Sequence, residues 1–238
     1  MNIVITGASR GIGFEVARLL AARGTNNTVN IVAIARNEQN LGALKNACIK
    51  ENTKSRLYPI PFDLENSNSI EGLLVPSIKQ HIENIDILIN NAGLLINKTF
   101  SQLSTDEMLR MISVNFISAV NLTHALIPMM SKGGHVLNIG SMGGFQGSRK
   151  FKGLSIYSSS KAALASLTEC LAEEYSESDI SFNCLALGAT DTEMFRQAFP
   201  GHKAPLTAAE MAKFIADFAV GGQKYFNGKI LPVSSTLP

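Results

Sequence analysis

Asn2-Ile3-Val4-Ile5-Thr6-Gly7-Ala8-Ser9-Arg10-Gly11-Ile12-Gly13 is the stretch that decides the fold. Its first half is a short apolar run with β-branched residues, the composition of a buried strand. Glycines then punctuate the chain at 7, 11 and 13, and from Phe14 to Arg23 the apolar residues recur at helical spacing. The order is strand, glycine turn, helix. Glycines allow a tight turn and close approach to the backbone, while the first N–H groups of the helix and its positive end suit a pyrophosphate. A packing turn can use the same glycines. The place between a strand and a helix is the context a dinucleotide site requires.

Reading outward, the alternation persists. Strands are expected at Val29–Ala35, Arg56–Phe62, Asp86–Asn90, His135–Ile139, Ile180–Ala186 and Lys229–Val233. Helices are expected at Glu38–Lys50 and Ser69–His81, along the run through Tyr157 to Tyr175, and at Thr207–Ala219. Ser104-Thr105-Asp106-Glu107 is a capping box that opens another, running to Ile127 ahead of Pro128. Apolar strands alternating with helices predict an α/β fold, a single doubly wound (Rossmann) domain over residues 1–238 with a seven-stranded parallel sheet. Such sheets bind ligands beyond the carboxyl ends of their strands.

Composition sets the bounds. With 238 residues, 45% hydrophobic and 17% charged, the chain suits one sizeable core. A formal net charge of +2 and the absence of a basic block with aromatics argue against nucleic acid. Cys48, Cys170 and Cys184 are far apart and read as reduced thiols, and the four histidines lack metal-ligand spacing, so no metal is expected. No apolar run is read as approaching the roughly 18 residues of a membrane span. With Asn2–Thr6 already a core strand, no signal peptide is expected, and the localisation expected is cytoplasmic.

Tyr157-Ser158-Ser159-Ser160-Lys161 carries the chemistry. On a helix Tyr157 and Lys161 stand one turn apart on one face. A phenol titrates near pH ~10, and an ammonium one turn away is expected to draw that value down toward working pH. Asn90-Asn91-Ala92-Gly93 follows the fourth strand, Asn115 lies in the next helix, and Ser141 follows the fifth strand.

With these segments in place the chain resembles the short-chain dehydrogenase/reductase family. Thr6 to Gly13 match its T-G-x-x-x-G-x-G, Asn90 to Gly93 its N-N-A-G, and Asn115, Ser141, Tyr157 and Lys161 its tetrad. The resemblance implies a carbonyl–alcohol oxidoreductase. It makes Tyr157 the acid or base, Ser141 a donor to the reacting oxygen, Lys161 the partner of tyrosine and ribose, and Asn115 the support of a water. It implies cofactor contacts at Gly7, Ser9, Arg10, Gly11, Ile12 and Gly13, at Arg36 and Asp63, and at Asn91, Ala92 and Gly93. Further contacts are implied at Gly188, Thr190 and Thr192, besides Tyr157 and Lys161. Asp63 reads equally as a turn aspartate.

The end of the second strand, Ile34-Ala35-Arg36, has no acid for a ribose 2′-hydroxyl. Arg36 and Arg10 could grip a 2′-phosphate instead, which favours NADP(H), although a strand-end arginine is often only solvated. Leu187-Gly188 stands where most of the family carries Pro-Gly. Arg149, Lys150 and Lys152 lie on the loop before Tyr157 and either attract an anionic substrate or form a solvated surface. Met194, Phe195 and Phe199 read as an apolar lid or as helix core. By resemblance a homodimer or homotetramer is expected, but the stretch ending at Pro238 lacks the family's acidic-glycine ending and puts the tetramer in doubt. Partners are expected to be small carbonyl or alcohol compounds, with no nucleic acid and no membrane. A narrower alternative is a 3-oxoacyl-thioester (acyl-carrier-protein) reductase; another is a dinucleotide-binding sensor without chemistry.

Overall fold

The computed structural model describes residues 1–24 and 28–235. The unusual ending at 236–238 lies outside the described residues. Strand β1 (Asn2–Thr6) leads through the glycine turn into α1 (Gly11–Ala22), and β2 (Asn30–Ala35) into α2 (Glu38–Glu51). Next come β3 (Arg56–Pro61), α3 (Val75–Lys79) and β4 (Ile85–Asn90), then α4 (Thr105–Ile112), α5 (Ser118–Leu126) and β5 (Met130–Ser141). The chain continues with α6 (Ser155–Glu174), β6 (Ser181–Leu187), β7 (Thr190–Asp191), α7 (Glu193–Ala198), β8 (Leu206–Thr207), α8 (Ala208–Gly221) and β9 (Lys229–Val233).

The seven-stranded sheet has the order β3-β2-β1-β4-β5-β6-β9, with every neighbouring pair parallel. Strand order reverses between β1 and β4, the switch point at which a doubly wound sheet opens a crevice. Side chains alternate across the sheet. Ile3 and Ile5 join the core beneath α1, α2 and α8, while Val4 joins the opposite core with Leu122, Leu126 and Phe182. Burial on both faces is why the strands read as apolar throughout.

Two expected helices are interrupted. The segment expected at Ser69–His81 is a π turn at Ile70–Leu74 followed by the short α3. Pro76 has no N–H to give four residues back, so the ladder changes register there. The helix opened by Ser104 keeps its capping box, yet it widens to a π turn at Ser113–Ile117 between α4 and α5. Strand β5 also starts earlier than expected. Met130 pairs with Ile85, the register slips, and His135 rejoins opposite Ile87.

The helical stretch Thr105–Met129 is, by length and composition alone, long and apolar enough to cross a membrane, which corrects the reading that no run approaches that length. Met111, Leu122 and Leu126 on it are fully buried against the protein, as in a core helix.

His135 is fully buried at the start of β5. Its Nδ1 lies 3.0 Å from the Ala219 carbonyl and its Nε2 3.1 Å from Asn183 Nδ2. Asn183 also donates to the Phe226 carbonyl at 2.8 Å and accepts from Lys229 N at 3.2 Å, which fixes its amide orientation. The imidazole therefore accepts at Nε2 and is neutral. Burial lowers its pKa from 6.5 to about 4, against a smaller opposing effect of the Ala219 carbonyl. A depressed value means the stability is complete above the unfolded pKa and fades as pH falls toward the folded one. Urea midpoints should thus drop between pH 6.5 and 4 by the equivalent of about 3 kcal/mol, and His135→Gln should flatten that part of the curve.

Candidate active site

The carboxyl ends of β1, β4, β5 and β6 open into one cleft of about 1100 Å³. Along one side runs the glycine turn. Gly7 (φ +67°) and Gly11 (φ +58°) adopt left-handed backbone. A Cβ on Gly7 would stand 2.8 Å from Ala92 Cα, and one on Gly13 would collide with Asn91 Nδ2 and the Gly7 carbonyl. Two of the glycines therefore serve close packing as well as the turn. The partner is the segment after β4: Asn91 Nδ2 donates to the Thr6 and Gly7 carbonyls at 2.9 and 3.2 Å. The backbone N–H groups of Asn91 and Ala92 both donate to Thr6 Oγ1 at 3.0 Å. Helix α1 begins without a side-chain cap and with no acid in its first turn. Its leading N–H groups are thereby left to an anion, as a dinucleotide's pyrophosphate would require.

At the far end of the turn, Arg36 Nη1 lies 4.0 Å from Asp63 Oδ2, while Asp63 Oδ1 accepts from Glu65 N at 3.0 Å. Asp63 is thus a turn aspartate that also faces the cleft. Arg10 is not aimed only at a phosphate: its Nη1 stands 2.7 Å from Glu193 Oε2 on α7, tying the glycine turn to the opposite wall. Thr192 caps α7, its Oγ1 accepting from Phe195 N at 3.1 Å. Gly188, Thr190, Ser9, Ile12 and Gly93 also line the cleft.

The chemistry-bearing side chains come from β5 and α6. Ser141 Oγ accepts from Gly143 N at 3.1 Å, and Ser141 is near enough to Tyr157 to favour its phenolate slightly. Lys161, with 4% of its surface exposed, donates from Nζ to the Ile139 carbonyl at 2.8 Å. Asn115 sits in the π turn, 1% exposed, and does not line the cleft. Its Nδ2 donates to the Leu94 carbonyl and to Ser160 Oγ, both at 2.9 Å, and its Oδ1 accepts from Leu94 N at 2.7 Å.

Electrostatics differ from the sequence expectation. Burial raises the Tyr157 phenol above 10, and Ser141 only partly offsets it. Burial lowers Lys161 to about 8, with a small opposing effect from Cys184. Lys161 is not among the groups that move Tyr157, so the expected downward pull of the ammonium is corrected to an upward push by desolvation.

Sequence reasoning missed the contacts that brace the loop after β4. Asn97 Nδ2 donates to the Ala198 carbonyl at 2.7 Å, and Lys98 N to the Gly153 carbonyl at 3.2 Å. These bonds link the loop after β4 to α7 and to the basic loop. His202 and Lys203 join the lining from beyond α7. No periodicity or motif marks these residues.

The family profile described as short chain dehydrogenase matches residues 1–203. The chain belongs to the short chain dehydrogenase family. Among curated relatives, the ketoacyl reductase HetN of Nostoc sp. is 34% identical over 189 residues, 79% of this chain and 62% of that protein, so the match spans less than two thirds of its length. The 3-oxoacyl-(acyl-carrier-protein) reductase FabG of Chlamydia trachomatis is 29% identical over 97% of this chain and 94% of its own. Among solved structures, a short-chain dehydrogenase/reductase from Serratia marcescens superposes with a TM-score of 0.83 at 26% identity, covering 98% of this chain and 95% of that one. One from Burkholderia cenocepacia, in complex with NADP, gives 0.86 at 24% identity over 98% and 95%, a likeness of fold. The chain is an oxidoreductase of this family.

The Met142–Gly144 turn lies directly on α6. A Cβ on Gly144 would stand 2.6 Å from Ala162 N and 2.7 Å from Lys161 C. Gly144→Ala should push the turn that follows Ser141 away from α6, destabilise the fold by about 1–3 kcal/mol and depress turnover. Thermal melts read the first effect and steady-state rates the second.

Proposed function

We propose that the protein is an NADP(H)-dependent oxidoreductase that interconverts a ketone or aldehyde and an alcohol, with Tyr157 as acid or base. One observation carries this reading: Ser141, Tyr157 and, one helical turn on, buried Lys161 all line the cleft that also holds the glycine turn. The dinucleotide would supply or accept the hydride. It would be held by the uncapped start of α1, by Arg36 and Arg10 at its ribose end, and by Gly188, Thr190 and Thr192 around the amide.

The chain's own residues account for the proton. A substrate carbonyl oxygen would sit between the Ser141 and Tyr157 side chains. Ser141 would hold the charge that develops on that oxygen, and Tyr157 would deliver its proton there. A phenol raised above its ordinary pKa stays protonated at neutral pH, as a donor must. Lys161 would orient the tyrosine and the ribose, and Asn115 would act by positioning: it fixes Leu94 and Ser160 in place.

A narrower reading, reduction of a 3-oxoacyl thioester, is favoured by the names of two relatives. A dinucleotide sensor without chemistry has no need of Ser141 and Tyr157 on the cleft lining.

Tyr157→Phe should lower turnover about 10³-fold while NADPH affinity, followed by its fluorescence, stays within a few-fold. Undiminished turnover would remove the mechanism. Reduction should be flat with pH through neutrality and decline above about 8, as Lys161 loses its charge. Arg36→Leu should cut the preference for NADPH over NADH by about tenfold, measured as a ratio of kcat/KM values. Equal loss with both cofactors would discard the 2′-phosphate assignment.

A further inference from the structure

We propose that the substrate carries an anionic group, carboxylate or phosphate, separated from its carbonyl by an apolar segment; this rests on the carbonyl–alcohol reading of the same cleft. The argument is one of unmatched charge. Three carboxylates line the cleft, and each is answered by an arginine: Glu193 by Arg10 at 2.7 Å, Glu65 by Arg110 at 3.0 Å and Asp63 by Arg36 at 4.0 Å. On the lining also stand Arg149, Lys152 and Lys203, all exposed, and among the described residues none has a carboxylate within 4.0 Å.

Their neighbour Lys150 shows that the loop does not merely carry solvated charge. Its Nζ donates to the carbonyls of Gly143 at 3.0 Å and Phe145 at 2.7 Å, and to Ser148 Oγ at 3.0 Å. All the protons of that ammonium are thereby spent on holding the loop. Lys98 N on the Gly153 carbonyl anchors the loop's other end. One lysine straps the loop down, and Arg149 and Lys152 are left presented on a fixed frame. Lys203 comes from a separate segment beyond α7.

Besides these cations and the Ser141 and Tyr157 side chains, the lining carries apolar Leu95, Leu154, Met194, Phe195 and Phe199. An oxo compound laid along it would place its carbonyl at the hydroxyl pair, its hydrocarbon against these side chains and its anion at the rim. Long-range attraction would raise its encounter rate as well as its affinity, and salt would screen both.

The test uses a methyl ketone with a terminal carboxylate across a saturated chain, its neutral methyl ester and the matching terminal phosphate monoester. The whole enzyme is assayed with NADPH at low and high salt. The acid or the phosphate should exceed the ester in kcat/KM by about tenfold or more at low salt, and the gap should shrink at high salt. Which anion gains more distinguishes carboxylate from phosphate. The triple variant Arg149→Gln/Lys152→Gln/Lys203→Gln should bring the acid-to-ester ratio close to one, whereas Lys45→Gln on α2, remote from the cleft, should leave it in place. Equal turnover of acid and ester by the unaltered enzyme overturns the proposal. So does a loss of NADPH affinity in the triple variant as large as the loss of acid turnover, because the cations would then serve the dinucleotide. Calorimetric binding of the corresponding hydroxy acid gives a readout free of turnover. Salt-sensitive binding of the acid without reduction of any carbonyl compound sinks the catalytic reading and leaves only the anion site at the rim standing.

Discussion

A single buried amide holds the site together. Asn115 spends both faces of its side chain on Leu94, accepting from its N–H and donating to its carbonyl, and gives its remaining proton to Ser160. In an apolar interior an unpaired amide costs more than its hydrogen bonds return, so such a group binds its partners strictly. Three pieces of chain are registered by it: the loop after β4, the helix that follows, and α6 with its tyrosine and lysine. The widening of that helix at Ser113–Ile117 brings the side chain to bear. A π turn at a functional position is the usual place for that irregularity.

Burial then does two opposite things to the two titrating groups. It makes the phenol a weaker acid and the ammonium a stronger one, because both charged forms lose water. The pair is thereby biased toward the state in which the tyrosine keeps its proton. That state is the one required to reduce a carbonyl. The local geometry follows from glycines rather than from reactive residues: Gly143 and Gly144 let the loop after β5 sit closely on α6.

Much of this was legible in the chain itself. Strand composition and the glycine turn were enough for the parallel doubly wound sheet, because buried strands must be apolar on both faces. The segments that bring Ser141, Tyr157 and Lys161 together were also readable, being fixed by helix pitch and strand ends. Less was visible where a side chain answers a distant one. Asn91 reads as a cofactor contact, yet its amide is engaged with the backbone of Thr6 and Gly7. Arg10 reads as a phosphate ligand, and a carboxylate far along the chain already holds it. The π turns carry no motif of their own: each shows only as a one-residue shift in the apolar spacing, which is hard to tell from ordinary irregularity. Desolvation of Tyr157 depends on everything packed over it, so the direction of its shift could not come from the neighbouring lysine alone.

The strap made by Lys150 has a consequence for how such a protein can diversify. The hydroxyl pair belongs to a strand end and a helix, whereas the cations at the mouth belong to a surface loop whose shape is secured by backbone carbonyls and one ammonium. Replacing Arg149 or Lys152 would therefore leave the loop's anchorage untouched. Selectivity could drift from one ancestor to many descendants by small surface changes, while the machinery beneath is inherited intact.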